Sequence, residues 1–287
     1  VGPVRWLVLG VGTLALGCTE RAPAATHDRV TPAIAPAPAP YVARPQIGGR
    51  AFPDRTLALT WDDGPDADTL ALARYLHGEG VAGTFFVVAA WVPGVSSDPG
   101  SGNHVFETGY DAMPVLAELV KLGHRIGNHT KNHVLLPGSS AAVVVQQLGD
   151  NQEKIEPLQG GAPRIFRVPG GAWDEATSRA VDSDPVLRRL VGPVRWDIDA
   201  KDWDGSISCT SANPALECEP AGPGGASRVK PRVMAERYLT GINALGHGIV
   251  LLHDRVGHVG SHYAVDLAKT LIPELKARGY VFTTSLE

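Results

Sequence analysis

The chain has no surplus of positive charge: its 287 residues include 26 Lys and Arg against 30 Asp and Glu, a formal net charge of -4. The basic residues are scattered rather than run together, so the electrostatic footprint of a nucleic-acid binder is missing. Cysteine is scarce as well. Of the three present, Cys209 and Cys218 have no neighbouring histidines and make a poor zinc site. The apolar run from Trp6 to Gly17 is too short to span a bilayer comfortably. Global charge names no partner, so function has to be argued from sites.

What is there begins with an export pattern. Arg5, the apolar run and small residues ending at Cys18 read residues 1–18 as a signal peptide, so export is expected. Leu14-Ala15-Leu16-Gly17-Cys18 resembles a lipobox, although Ala15 stands where leucine is usual and Leu16 where a small residue is usual. The resemblance implies a lipid anchor on Cys18 and a place in the bacterial cell envelope, facing periplasm or exterior, with plain secretion as the alternative. Residues 19–50 contain Ala35-Pro36-Ala37-Pro38-Ala39-Pro40 and read as an extended tether, rising about 3.1 Å per residue in polyproline geometry. Residues 51–287 then form one domain. Within a Gly/Pro/Ser-rich insertion from Asp204 to Lys230, an exported chain is expected to pair Cys209 with Cys218; two free thiols are the alternative.

Strand-like apolar runs recur at Thr56 to Trp61, Thr84 to Ala89, His124 to Gly127, Arg164 to Val168, Pro193 to Ile198, Gly248 to Leu252 and Tyr280 to Thr284. Helical patterns lie between them: Ala67 to Glu79, Met113 to Leu122, Ala141 to Ile155, Pro231 to Leu245 and Ser261 to Arg278. The alternation predicts an α/β fold, a distorted and incomplete parallel (β/α) barrel of about seven strands. Asp62, Asp63, His129, Arg167, Asp199 and His253 each fall just beyond a strand, at the end where such barrels assemble their sites.

Two of these segments carry chemistry on their own. Thr60-Trp61-Asp62-Asp63-Gly64-Pro65 ends an apolar run with two adjacent carboxylates, and His129-Thr130-Lys131-Asn132-His133 spaces two imidazoles one helical turn apart. One carboxylate and two imidazoles can hold a divalent metal while the second carboxylate serves as base, which is the chemistry of metal-assisted hydrolysis. Either half alone has a blander reading: a turn with a helix cap, and a solvated helix face. The chain supplies a control in His258-Val259-Gly260-Ser261-His262, where a glycine and a Ser261 N-cap would set the two histidines on either side of a helix start.

Taken in order, five motifs resemble the polysaccharide deacetylase family, carbohydrate esterase family four: the Asp62-Asp63 and His129-His133 segments, Arg167-Val168-Pro169-Gly170-Gly171, Trp196 through Asp199-Ala200-Lys201-Asp202-Trp203, and Leu251-Leu252-His253-Asp254. The resemblance implies that Asp63, His129 and His133 bind the metal, most commonly Zn2+, and that Asp62 is the general base; spacing alone does not assign the two aspartates. It further implies Arg167 as the residue orienting the base, His253 as general acid and Asp199 as the carboxylate aligning it. A backbone N–H near Gly170 would hold the oxyanion, and Trp203, Leu251 and Leu252 would form the acetyl pocket. Trp61, Trp91 or Trp173 could stack on a sugar, although core packing is the commoner fate of a tryptophan. Trp61 and Gly170 depart from the residues usual at their positions.

The expected activity is metal-dependent removal of N-acetyl groups from an amino-sugar polymer such as peptidoglycan, a chitin-like oligomer or an exopolysaccharide. Two rivals are an O-acetyl esterase acting on acetylated xylan and a carbohydrate-binding lipoprotein without turnover.

Overall fold

The computed structural model describes Gly2 and residues 41–66, 68–89, 112–204, 218–219, 228–255 and 262–286. Trp91, Cys209, His258 and Ser261 lie outside the described residues, so the readings that fall on them stay as expectations. In chain order the elements are β1 (Thr56–Asp62), α1 (Thr69–Gly78), β2 (Thr84–Val87), α2 (Met113–Lys121), β3 (Arg125–Asn128), α3 (Ala141–Ile155), α4 (Glu175–Ser183), β4 (Ile198–Asp199), β5 (Cys218–Glu219), β6 (Arg228–Val229), α5 (Pro231–Leu245), β7 (Gly248–His253), α6 (Tyr263–Ala277) and β8 (Val281–Phe282).

The main sheet is parallel in every pairing, in the order β3-β2-β1-β7-β4, with β8 joining the start of β1. Because β1 and β7 are covered on both faces, they read as nearly continuous apolar runs. Alternation then sorts their side chains. Leu57, Leu59, Trp61, Val250 and Leu252 join Phe85 and Val87 in the core under α1, α5 and α6, whereas Ala58 and Ile249 meet Phe86, Ile165 and Val194 on the opposite face. Truncating one of these buried leucines to alanine costs about 2–5 kcal/mol.

Two expected strands, at Arg164 to Val168 and Pro193 to Ile198, survive only as isolated parallel bridges and the two-residue β4. Pro163 and Pro169 bound the first stretch and Pro193 opens the second, and a proline has no N–H to give to a ladder. The bridges Asn128↔Phe166, Ile165↔Val191 and Ile47↔Val194 still carry the parallel order past β3, so the sheet curls on without a continuous closing ladder among the described residues.

The boundary of the expected tether also moves. Residues 41–49 are bound to the domain: the Arg44 N–H donates to Ser178 Oγ at 2.8 Å, the Gln46 amide donates to the Gly171 carbonyl at 3.0 Å, and the Gly49 N–H donates to Asp197 Oδ2 at 2.7 Å. Helix starts follow local rules. Asp174 caps α4 by accepting the Thr177 N–H at 2.7 Å, Pro231 opens α5, and Gly246 closes it at φ 78°.

Candidate active site

Parallel register sets the centre of the site. Asp62, last residue of β1, pairs directly with His253, last residue of β7, so both side chains leave the same sheet face at the same end. Asp62 is buried, at 3% exposure. Arg167 Nη1 donates to its Oδ1 at 2.7 Å and to Thr60 Oγ1 at 2.8 Å. The remaining guanidinium donors reach the Val194 and Arg195 carbonyls, and the ion lies 4.2 Å from the Phe86 ring centre. Burial lowers the Arg167 pKa, and the Asp62 charge opposes that shift. Arg167 thus fixes one oxygen of the buried Asp62 carboxylate, while the other, Oδ2, lies 3.6 Å from His129 Nε2.

Asp63 continues past the strand at φ 74°. Its Oδ1 lies 3.0 Å from His133 Nε2 and 3.4 Å from His129 Nε2, and one ligand atom from each of the three residues falls within 4.8 Å of the others. His129 Nδ1 is 2.9 Å from the Arg167 carbonyl, which can only accept, so the proton sits on Nδ1 and the Nε2 lone pair faces Asp63. Burial would raise the Asp63 pKa, but without a metal the protonated forms of His129 and His133, donating N–H to it, and the charge of His253 more than offset this and hold the carboxyl well below its usual range. For His133, burial disfavours the charged form, and Asp63 outweighs that to raise its pKa.

Two histidines and a carboxylate suit a divalent cation, and a structural observation agrees: Asp63 Oδ1 is a buried acceptor with no well-aimed N–H to satisfy it.

The imidazole pair is not on a helix. His129 to His133 is a loop in which Thr130 (φ 69°) and His133 (φ 54°) take left-handed backbone, so the helical-turn expectation is corrected while the shared ligand site remains. Buried amides replace helix geometry. Asn128 Oδ1 accepts the Thr130 N–H at 2.9 Å, Asn151 donates to the Thr130 carbonyl at 2.9 Å, and Gln147 accepts the Asn132 N–H at 3.0 Å.

His253 is 7% exposed. Its Nδ1 lies 2.7 Å from Asp202 Oδ1, and its backbone N–H donates to Asp202 Oδ2 at 3.0 Å. Burial pulls the imidazole pKa down, but Asp202, followed by Asp63 and Asp62, overrides it and pushes the value up to about 9. The expectation that Asp199 aligns this histidine is corrected. Asp199 Oδ1 instead accepts the Lys201 N–H at 2.7 Å, and that turn, with Lys201 at φ 60°, brings Asp202 to the imidazole. Burial raises the Asp199 pKa.

The expected acetyl pocket divides. Leu251 shares the face of His253, but Leu252 points the other way, into the core beneath the helices, and is withdrawn from the site. Trp203 is 48% exposed, directly after Asp202. Gly170 is exposed at φ 61°, where a Cβ would sit 3.3 Å from Leu135 Cδ2. Trp61 stacks on Phe85 at 5.3 Å in the core, and Trp173 packs beside Phe166 and donates to the Arg44 carbonyl at 3.2 Å. Trp61 is therefore a core residue, while Trp173 is half-buried. His262 pairs with Asp68 at 2.7 Å and is not one of the three residues whose ligand atoms converge.

Residues 49–186 match the family model described as polysaccharide deacetylase. The chain is 31% identical to a peptidoglycan-N-acetylglucosamine deacetylase of Bacillus cereus over 82% of its own length and 88% of that protein's. The chain belongs to the polysaccharide deacetylase family. It is also 28% identical to a chitooligosaccharide deacetylase of Azorhizobium caulinodans, over 78% of this chain and 90% of that one.

Solved structures share the fold. A crystal structure of a peptidoglycan N-acetylglucosamine deacetylase aligns with a TM-score of 0.58 at 23% identity, covering 84% of this chain and 94% of that one. A family 4 acetyl xylan esterase from Clostridium thermocellum, solved with a cobalt ion, gives 0.55 at 24% identity, covering 79% and 87%. A family pseudoenzyme from Bacillus anthracis gives 0.56 at 20% identity, covering 80% and 63%. The fold alone therefore does not separate an enzyme from a binder. The family is one of deacetylases, hydrolases of C–N bonds, and in this chain Asp63, His129 and His133 form a group that could hold a divalent metal.

Proposed function

We propose that this chain removes N-acetyl groups from an amino-sugar polymer of the cell envelope, with peptidoglycan the foremost candidate. The observation that supports the reading is the register pairing of Asp62 with His253, which brings a carboxylate and an imidazole to the same end of the sheet beside Asp63. Asp63, His129 and His133 would hold the metal, and zinc suits two imidazole nitrogens and one carboxylate. When bound, such an ion supplies Lewis-acid polarisation of the acetyl carbonyl and makes water a better nucleophile.

The chain's own residues do the rest. Arg167 holds Asp62 by Oδ1, and Oδ2 accepts the proton of the attacking water. Asp202 holds His253 by Nδ1, so Nε2 is the atom that protonates the departing amine as the C–N bond breaks. Arg167 and Asp202 are positioning residues in this reading, and the Gly170 backbone borders the carbonyl oxygen. Leu251 and Trp203 face the acetyl group and sugar. A binder without turnover has no use for this complete set.

We also propose that residues 1–18 direct export, that Cys18 carries a lipid, that residues 19–40 tether the domain, and that Cys209 pairs with Cys218. Membrane release on Cys18→Ala tests the anchor. For the activity, acetate release should be compared across peptidoglycan, chito-oligosaccharides and acetylated xylan, with and without a chelator. Release from xylan alone would replace the N-deacetylase reading with the esterase one.

A further inference from the structure

Asp254 follows His253 at the end of β7, is buried, and takes no part in the chemistry above. Its carboxyl presses on the turn after Asp63: a Cβ on Gly64 would come within 2.1 Å of Asp254 Oδ2 and 2.4 Å of Oδ1, so the close approach needs glycine. Thr69 Oγ1 donates to Asp254 Oδ2 at 2.5 Å and in turn accepts the Asp66 N–H at 2.7 Å. The Asp254 N–H reaches the Asp62 carbonyl at 3.3 Å, while the Gly64 carbonyl accepts the Val88 N–H at 2.9 Å. The end of β7, the exit of β2 and the first residue of α1 thus grip the backbone from 62 to 66. Asp63 lies inside that grip at φ 74°, a conformation that a non-glycine residue keeps only when its surroundings impose it.

We propose that Asp254 and Thr69 are positioning residues: their hydrogen bond clasps the turn, holds Asp63 in its left-handed conformation and aims its carboxylate at His129 and His133. The inference rests on the reading of Asp63, His129 and His133 as ligands. Releasing the clasp lets residue 63 relax toward ordinary backbone angles, which swings its carboxylate off the two Nε2 atoms. Support beyond the ligands themselves typically governs metal affinity over about 10–100-fold.

The test measures Zn2+ affinity by competition with a chelating dye, on protein shown by thermal melting to be folded at the assay temperature. Thr69→Val, which keeps the shape and removes the hydroxyl, should weaken Zn2+ binding about 10–100-fold. Thr69→Ser, which keeps the hydroxyl, should bind like the unaltered protein. Asp254→Asn keeps an acceptor for Thr69 and should bind far better than Asp254→Ala. Unchanged affinity in folded Thr69→Val overturns the clasp, as does Thr69→Ser binding no better than Thr69→Val. His133→Ala serves as control: if it too binds normally, the ligand assignment has failed, whereas a normal Thr69→Val beside a crippled His133→Ala removes the clasp alone.

Discussion

Asp202 accepts two hydrogen bonds from a single residue, the backbone N–H of His253 at 3.0 Å and its Nδ1–H at 2.7 Å. One carboxylate therefore fixes the strand end, the ring orientation and the charge of the imidazole, whose pKa is pushed up to about 9. The proton donor is the charged form. It predominates below the raised pKa, so turnover should fall as pH rises through about 9. Bound cation would offset the smaller contributions of Asp63 and Asp62 and lower that limb somewhat. Asp202→Asn should carry the basic limb of the pH–rate profile toward the ordinary histidine range near 6.5, while Asp199→Asn, which removes a more remote charge, should move it much less. The reverse pattern would restore Asp199 as the aligning carboxylate.

The same linkage bears on stability. The folded pKa of His253 lies above its unfolded value, so this contribution is complete below about pH 6.5 and is lost as pH rises through about 9. Denaturant midpoints measured across that window should decline in the unaltered protein and change less in His253→Gln.

Arg167→Met should be costly to the fold as well as to turnover. It leaves Asp62 as a buried charge without its partner, and breaking such a pair from one side costs about 3–5 kcal/mol. Urea denaturation reads this directly, and a loss below about 1 kcal/mol, the scale of an exposed pair, would mean Asp62 finds another partner.

Asp62→Asn and Asp63→Asn should separate base from ligand. The first should keep the metal and lose about 10²–10⁴-fold in rate, as when a positioned base is removed. The second should lose the metal. Metal analysis of both variants settles the assignment, and the opposite result exchanges the two roles.

His253→Ala should distinguish amide from ester. An amine leaves poorly unless protonated, whereas an activated ester expels its alcohol with little help. N-acetyl hydrolysis should drop far more than hydrolysis of an activated acetate ester. Equal losses would make His253 a support of the metal site or fold.

Much of this site was legible because β1 and β7 end in their polar residues, so Asp62 and His253 announce themselves at the close of apolar runs. Asp202 was not. Two aspartates three residues apart, beside a two-residue strand, give no periodicity by which to choose between them, and the turn at Lys201 decides. The His129–His133 spacing fits a helix and a loop equally well; the left-handed angles at Thr130 and His133 depend on Asn128, Asn151 and Gln147, side chains that only the fold brings together. Leu252 is separated from Leu251 and His253 by alternation along β7, a rule the sequence does contain. The supporting grip of Thr69 and Asp254 links residues 185 positions apart and has no local signature.

The most direct measurement is acetate release from an N-acetylated chito-oligomer by the purified protein, followed through chelation and return of a divalent metal. The account expects release that stops on chelation, recovers when metal is restored, and stays lost in Asp62→Asn even with metal bound. Release untouched by chelator, or none from protein carrying its metal, would contradict it.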